Sequence, residues 1–397
     1  MRFSFPRHRP GFVAVAAFTL LRAAAAQAEP VAPAAPAPAP RVLWKYAPPG
    51  ANFDHVVHHD GTLFALDRAG SIHALDAATG TKTWITQGRL PFDRGFGLAL
   101  ATTPKFTAIV VGCDNGLLAL GRRDGSVIWH TKIEAGVAGP AVANDLVVAG
   151  GADGRVYGCE LATGRIRWQH DYLEDRPDDP PGFPGHQARF QQPARPGEAA
   201  SDGTIVALSI FDQCRTLALD AASGKRLWAF RTEGWMYGRP TIGPLFVYVG
   251  SQDNRVYAID KEIGKLAWKL DTKGRNEAAA ALTVRFVYYG SCDGTVYALD
   301  PAVGRVAWQF PIRVPEGSTS AIYGCPIVLG DCVHVAAMAG TIHAVHRDTG
   351  RQQWQFQPLA DSELIGGLAT DGGRLFVTTR KSAEDKGESA VVAIARP

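Results

Sequence analysis

Most of the chain runs in short stretches where apolar and polar residues alternate with period two, broken by Gly-containing polar turns. This alternation predicts half-buried β-strands and gives no sign of long helices. Seven stretches align with one another: 71–84 (SIHALDAATGTKTW), 117–129, 155–168, 216–228, 255–268 (RVYAIDKEIGKLAW), 295–308 and 341–354. Each ends on a Trp four residues after its turn Gly, giving the series Trp84, Trp129, Trp168, Trp228, Trp268, Trp308 and Trp354. A repeat of about 40 residues with strand-type alternation marks a β-propeller or a solenoid. Each period has room for four short antiparallel strands, with Asp253-Asn254, Asp293-Gly294 and Asp153-Gly154 in hairpin slots and Gly264 in the next turn. That is the make-up of a propeller blade.

The last period is incomplete. After Trp354 the chain offers strands at 374–378 and 390–395 and stops at Pro397 without a Trp-bearing strand, whereas residues 41–46 (RVLWKY) have that form. Trp44 lies 40 residues before Trp84. The fold expected is therefore all-β, an eight-bladed propeller over 41–397 whose ring is closed by the N-terminal strand. Only Trp235 falls outside the blade series.

The segment before the propeller reads differently. Residues 1–28 combine Arg2, Arg7 and Arg9, an apolar run from Gly11 to Leu21 and the ending Ala26-Gln27-Ala28, which is the form of a secretory signal. Residues 29–40 (EPVAPAAPAPAP) form an extended Pro/Ala spacer. The chain has 41 Lys and Arg against 38 Asp and Glu; removing the signal's four arginines leaves 37 against 38. The basic excess thus belongs to the export signal, and the propeller gives no charge-based case for nucleic acid or anionic lipid. The expected location is the periplasm. With no Cys beside the cleavage site, no lipid anchor is expected.

The A-x-D-x-x-T-G-x-x-x-W repeats resemble the quinoprotein-type repeats of eight-bladed propellers. Those are shared by pyrroloquinoline-quinone-dependent alcohol dehydrogenases and by noncatalytic periplasmic proteins of the BamB type. The resemblance implies that Trp44, Trp84, Trp129, Trp168, Trp228, Trp268, Trp308 and Trp354 dock neighbouring blades, together with small residues such as Ala74, Gly158, Ala218, Ala258 and Ala298. Relatives that use the quinone carry a vicinal Cys-Cys pair, long insertions and a calcium-binding set. Here Cys113, Cys159, Cys214, Cys292, Cys325 and Cys332 are nowhere adjacent, and no C-x-x-C-H haem motif is present. The resemblance therefore points to the BamB-type branch, with no catalytic residue, metal or cofactor expected and envelope proteins as partners, acting in outer-membrane protein assembly. The alternative is an enzyme using pyrroloquinoline quinone with calcium, or a sugar, at the channel mouth.

Candidate chemistry is sparse. His55, His58 and His59 cluster, and His343 and His346 are three apart, but an i, i+3 pair on a strand faces opposite ways. Aligning the innermost strands sets Tyr237 and Arg239 in register with Glu277 and Ala279 and with Tyr323 and Cys325. Phe53 and His55, Leu98 and Leu100, and Val137 and Gly139 fill the same slots elsewhere. One side of the mouth thus carries Tyr237, Arg239, Glu277 and Tyr323, which suit a ligand with hydroxyls or a carboxylate. The plainer reading is an Arg239 to Glu277 ion pair filling that mouth. The Pro-rich insertion at about 170–200 is expected on the surface, as decoration or as a partner contact.

Overall fold

The computed structural model describes residues 39–86, 97–103, 106–173, 196–314, 319–381 and 387–397. The described residues form eight antiparallel sheets, seven with four strands in simple chain order. Blade 1 runs Phe53–His59, Thr62–Asp67, Ile72–Asp76 and Lys82–Ile85 from inside to outside. The innermost strands of blades 2 to 7 are Leu98–Thr103, Ala141–Ala143, Pro196–Ser201, Thr241–Ile242, Ala281–Leu282 and Ile327–Leu329. Blade 8 is assembled from both chain ends: its inner pieces Ser362–Glu363 and Leu368–Thr370 and its strands Arg374–Lys381 and Ala390–Ala395 come last in the chain, and Arg41–Tyr46 is its outer strand. Trp44 stands opposite Ala393, as ring closure by the N-terminal strand requires.

Strand alternation decides where each residue packs. In blade 5, Val247, Val249 and Tyr257 point to blade 4, while Tyr248, Val256 and Ala258 point to blade 6. The core is accordingly divided into eight apolar clusters, each shared by two adjacent blades. No blade can bury both of its faces alone, so each is stable only between neighbours.

The repeat Trp locks each of these interfaces. It stands opposite a small residue of its own sheet, Ala74 for Trp84, Gly158 for Trp168, Ala258 for Trp268 and Ala344 for Trp354 among them, and a register shift follows that pair. The small partner lets the indole lie across the sheet and reach the next blade. There the ring covers the turn Gly: a side chain on Gly304 would strike Trp268, and one on Gly264 would strike Trp228. These glycines have φ of 70° and 68°, so the turn needs Gly for its backbone as well as for space. Indole Nε1 donates to the carbonyl two residues into that turn in seven interfaces, for example Trp44 to Ala77 at 3.2 Å, Trp84 to Arg122 at 3.0 Å and Trp268 to Pro301 at 2.9 Å. Trp354 faces blade 8, where the two chain ends stand in place of a turn, and it packs on Leu364, Leu375 and Ile394 instead.

The closing strand has a second anchor. Tyr46 hydroxyl meets His73 Nδ1 at 3.0 Å, and His73 Nε2 meets Asp67 Oδ2 at 3.0 Å. Burial pushes the Asp67 carboxyl up, but the His73 bond and the amides of Ser71 and Ala69 outweigh it and hold the group below its usual range.

Two more histidines are buried without charge. His334 and His343 are 1% and 2% exposed, and burial pushes both down to about 4. Below pH 6.5 the unfolded chain takes up these protons before the folded one does, so stability falls as pH drops from 6.5 towards 4. The expected loss is on the order of 3 kcal/mol for each His, from the free-energy equivalent of a pKa difference. Chemical denaturation across this window checks it, and His343→Leu should remove about half of the slope. Trp268→Ala should cost about 3–5 kcal/mol, read as a lower denaturation midpoint, because it empties one interface and strands the Pro301 carbonyl.

Candidate functional site

In each blade the connection from the previous outer strand and the hairpin between the second and third strands lie on the same face. On that face the hairpin aspartates are clamps as well as turn formers. Asp253 Oδ2 accepts from Glu233 N at 3.0 Å and from Tyr257 hydroxyl at 2.6 Å. Asp293 Oδ2 accepts from Lys273 N at 3.0 Å and from Tyr297 hydroxyl at 2.8 Å. The segments that carry Tyr237 and Glu277 are thereby tied down at their starts. Desolvation and the aspartate raise the Tyr257 and Tyr297 hydroxyls, so both remain protonated donors.

The four mouth residues do not form one group. Tyr237 is 49% exposed and packs on Phe211 with the rings tilted by 50° and their centroids 4.1 Å apart; Phe211 also packs on Trp235, centroids 4.9 Å apart. This aromatic shelf lies at the junction of blades 4 and 5. Glu277 and Tyr323 belong to a second group. Glu277 Oε1 accepts from Gln252 Nε2 at 2.7 Å and lies 3.4 Å from Arg275. The expected pairing with Arg239 is therefore replaced: among the described residues the Glu277 partner is Arg275, two residues away on its own segment. Tyr323 interacts with the Cys292 thiol and senses Glu277 and Arg275. Burial and Glu277 push Cys292 up to about 11.

Arg239 belongs to a third group, which the strand register defines. Two residues before the inner-strand partner of each second strand stand His55, Glu198, Arg239 and Cys325 in blades 1, 4, 5 and 7. The same position is Gly97, Gly139, Ala279 and Gly367 in blades 2, 3, 6 and 8. In blade 2 this corrects the register expected from sequence, which put Leu98 and Leu100 at the mouth; they pair with Val111 and Ile109. Glu198 was missed. It closes the insertion and lies within the register shift between Pro196 and Ala199, so the repeat pattern gave no alignment there.

The Glu198 side chain extends over blades 3 and 2. A Cβ on Gly139 would lie 2.8 Å from its Cγ, and one on Gly97 would collide with its carboxylate. Cys325 lies near enough to feel both Arg239 and Glu198, and burial pushes its thiol up to about 11. His58 and His59 go elsewhere: His58 stacks on Phe376 at 5.8 Å and His59 meets Thr102 Oγ1 at 3.3 Å. His343 Nε2 meets Thr341 Oγ1 at 2.9 Å, and His346 Nδ1 accepts from Asp348 N at 3.2 Å. All six cysteines are thiols.

A calcium-bound quinone needs several oxygen donors converging in the channel. Among the described residues no three His, Cys, Asp or Glu side chains converge, and Glu277 is engaged by Arg275 and Gln252. The mouth does not fit that group, and no step is derived through it. A separate cleft of about 560 Å³ lies at the junction of blades 8 and 1, between the segment 47–52 and Lys381, Glu388 and Ser389. The insertion at 174–195 and the segment 1–38 lie outside the described residues.

Comparison with known proteins places this geometry. The family described as outer membrane protein assembly factor BamB matches residues 11–138, 41–180 and 186–341. BamB of Shewanella oneidensis is 31% identical over 121 residues, covering 28% of this chain, and BamB of Yersinia pestis is 27% identical over 114 residues, covering 27%. These alignments span 30% and 29% of the length of those curated relatives. BamB from Moraxella catarrhalis superposes with a TM-score of 0.65 at 16% identity, covering 90% of this chain and 98% of that one. A quinohemoprotein alcohol dehydrogenase from Pseudomonas putida HK5 superposes with a TM-score of 0.67 at 14% identity, covering 90% and 76%. At such identities the superpositions show a common fold and leave function open. With the family match spanning more than half of its length, the chain belongs to the outer membrane protein assembly factor BamB family of PQQ-like repeat propellers.

Proposed function

We propose that this chain is an exported, noncatalytic scaffold of the periplasm that binds envelope proteins during outer-membrane protein assembly. The observation that carries the reading is the aromatic shelf of Phe211, Trp235 and Tyr237 on a face whose loops are clamped by Asp253 and Asp293, in a chain of this family. Aromatic side chains on a rigid scaffold give large contact area at low entropic cost and dominate protein interfaces. Ser209 Oγ donates to the Gly238 carbonyl at 3.0 Å, so the second strand of blade 4 also holds the segment that carries Tyr237. The export reading rests on residues 1–28. The near-equal charges of the remaining chain favour a partner held by shape and apolar contact.

The test is made in the host cell. Deleting the gene should lower the amount of β-barrel proteins in the outer membrane. Restoring a Trp235→Ala, Tyr237→Ala double variant should fail to recover that amount while the protein keeps its denaturation midpoint. Unchanged barrel levels in the deletion strain overturn the assembly role; full rescue by the double variant overturns the shelf. The enzyme alternative is checked on the purified protein with pyrroloquinoline quinone and calcium, where a bound chromophore would overturn the noncatalytic reading.

A further inference from the structure

The face opposite the aromatic shelf carries the most exposed apolar side chains among the described residues. By the antiparallel order of each blade, the hairpin between its first and second strands and the turn between its third and outer strands share that face. In blade 5 the two lie side by side, with the Lys261 amide donating to the Leu245 carbonyl at 2.9 Å. Large apolar side chains at 60% exposure or more number four among the described residues: Leu245 (67%), Ile263 (60%), Val284 (102%) and Val303 (64%). All four stand at the tips of these connections in blades 5 and 6. The two blades are joined there by the Trp268 indole, which donates to the Pro301 carbonyl at 2.9 Å and covers Gly304, next to Val303.

The fold does not ask for these residues. Before the turn Gly of blades 1, 3 and 4 stand Thr79, Thr163 and Ser223, whose hydroxyls donate to the acid that opens the turn at 2.9, 2.8 and 2.5 Å. Ile263 and Val303 hold the same position and cannot make that bond. Hairpin tips elsewhere are Asp60-Gly61, Asn144-Asp145 and Asp202-Gly203, where blades 5 and 6 have Pro244-Leu245 and Val284. Two connections in each of two adjacent blades have thus exchanged turn-forming polar residues for aliphatic ones in water. That change weakens the turns and is offset only by something that covers the face.

The charges around the tips say what covers it. In blades 4 to 7 the residue after the turn Gly is Lys225, Lys265, Arg305 and Arg351, all exposed. The acids of these turns bend inward: Asp220 Oδ1 accepts from Ser223 N at 2.8 Å, Asp260 Oδ1 from Ile263 N at 3.0 Å and Asp300 Oδ1 from Ala302 N at 2.9 Å. Asp202 and Asp348, beside them, are closed by Lys261 at 3.1 Å and Arg285 at 2.9 Å. Cations therefore point outward around an aliphatic centre, with Glu262 the one exposed acid on the tips of blades 5 and 6. The near-equal charge totals of the whole chain conceal this arrangement. Hot spots of protein interfaces favour Trp, Tyr and Arg over Leu and Val, whereas a lipid surface takes up aliphatic tips without a matching shape and draws Lys and Arg to its phosphates.

We propose that the face of blades 5 and 6 bearing Leu245, Ile263, Val284 and Val303 docks on an anionic phospholipid bilayer, the four tips entering the headgroup region and Lys265 and Arg305 meeting lipid phosphates. The propeller then lies with this face on the membrane and its aromatic shelf turned away from it. The site is independent of the assembly role.

The test is flotation of the exported chain, residues 29–397, with vesicles of equal parts phosphatidylethanolamine and phosphatidylglycerol. The wild type should float with them, and less so as salt is raised. Ile263→Thr with Val303→Thr supplies the hydroxyl of the other turns, so this double variant should keep its denaturation midpoint and bind at least about tenfold more weakly. Leu245→Asn with Val284→Asn, which puts a hairpin-tip residue at each site, should do the same. Lys265→Gln with Arg305→Gln should lose about thirtyfold on these vesicles. No flotation of the wild type, or equal flotation of any folded double variant, overturns the proposal. So does a wild-type dimer in sedimentation equilibrium that the Thr double variant converts to monomer, since a second copy would then cover the face.

Discussion

A single blade of this protein is a twisted sheet of four strands with apolar residues on both faces, and alone it would leave both in water. What makes eight of them a ring is the indole that each blade passes to the next. The Trp is large enough to cross the interface, its own sheet gives it an Ala or Gly to lie over, and the receiving turn has Gly where the ring lands. Its Nε1 then takes a turn carbonyl that would otherwise lie beside an apolar surface without a partner. Packing, backbone conformation and hydrogen bonding thus meet in one contact, repeated around the ring. The channel register follows from it, because fixing the rotation of each blade fixes which inner-strand residues share a level.

The contact also explains the seam. A ring must begin and end somewhere, and here the break falls in blade 8 between its third and outer strands. The N-terminal strand restores the outer edge, and Trp44 and Tyr46 tie it to blade 1 through Ala77 and His73. On the other side Trp354 meets no turn and rests on aliphatic side chains. His334 takes the place held by Tyr248 and Tyr288 in blades 5 and 6, with its ring 5.4 Å from that of Trp354. A buried imidazole that resists protonation is therefore part of the interface with the chain ends.

The repeat made the fold legible because the Trp, the turn Gly and the strand alternation are each demanded by local physics that does not depend on distant partners. Trp44 could be assigned to the last blade for the same reason. The site was legible only where inner strands follow the repeat. Arg239 and Cys325 were placed at equivalent positions correctly, since blades 5 to 7 keep the same spacing from their tryptophans. Blade 2 was misread: strong apolar alternation in 98–103 drew Leu98 and Leu100 to the mouth, whereas Gly97 stands at that level. Glu198 was invisible because an insertion and a register shift separate it from any aligned neighbour. The Glu277 partner was misjudged for another reason. A carboxylate pairs with what the rotamers and hairpins beside it offer, and Gln252, on the hairpin of blade 5, and Arg275, on its own segment, reach Glu277 at 2.7 and 3.4 Å.

The fold is shared with an assembly factor and with a dehydrogenase, and in this chain the indole lock constrains only the walls of the ring. The loops on the open face and the inner-strand side chains are left free to vary. In this chain that freedom has been used twice, in different ways. At the junction of blades 4 and 5 it provides an aromatic shelf pointing outward, suited to a macromolecular surface. On the inner strands of blades 4 and 5 it sets Glu198 and Arg239 at equivalent register positions, with Glu198 laid over Gly139 and Gly97. A metal-bound cofactor would need its donors to converge, yet Glu198 and Glu277 are drawn apart, the first by a glycine cradle on blades 2 and 3 and the second by Arg275 and Gln252. The two carboxylates that a calcium ion would have to gather are thus held apart by different neighbours.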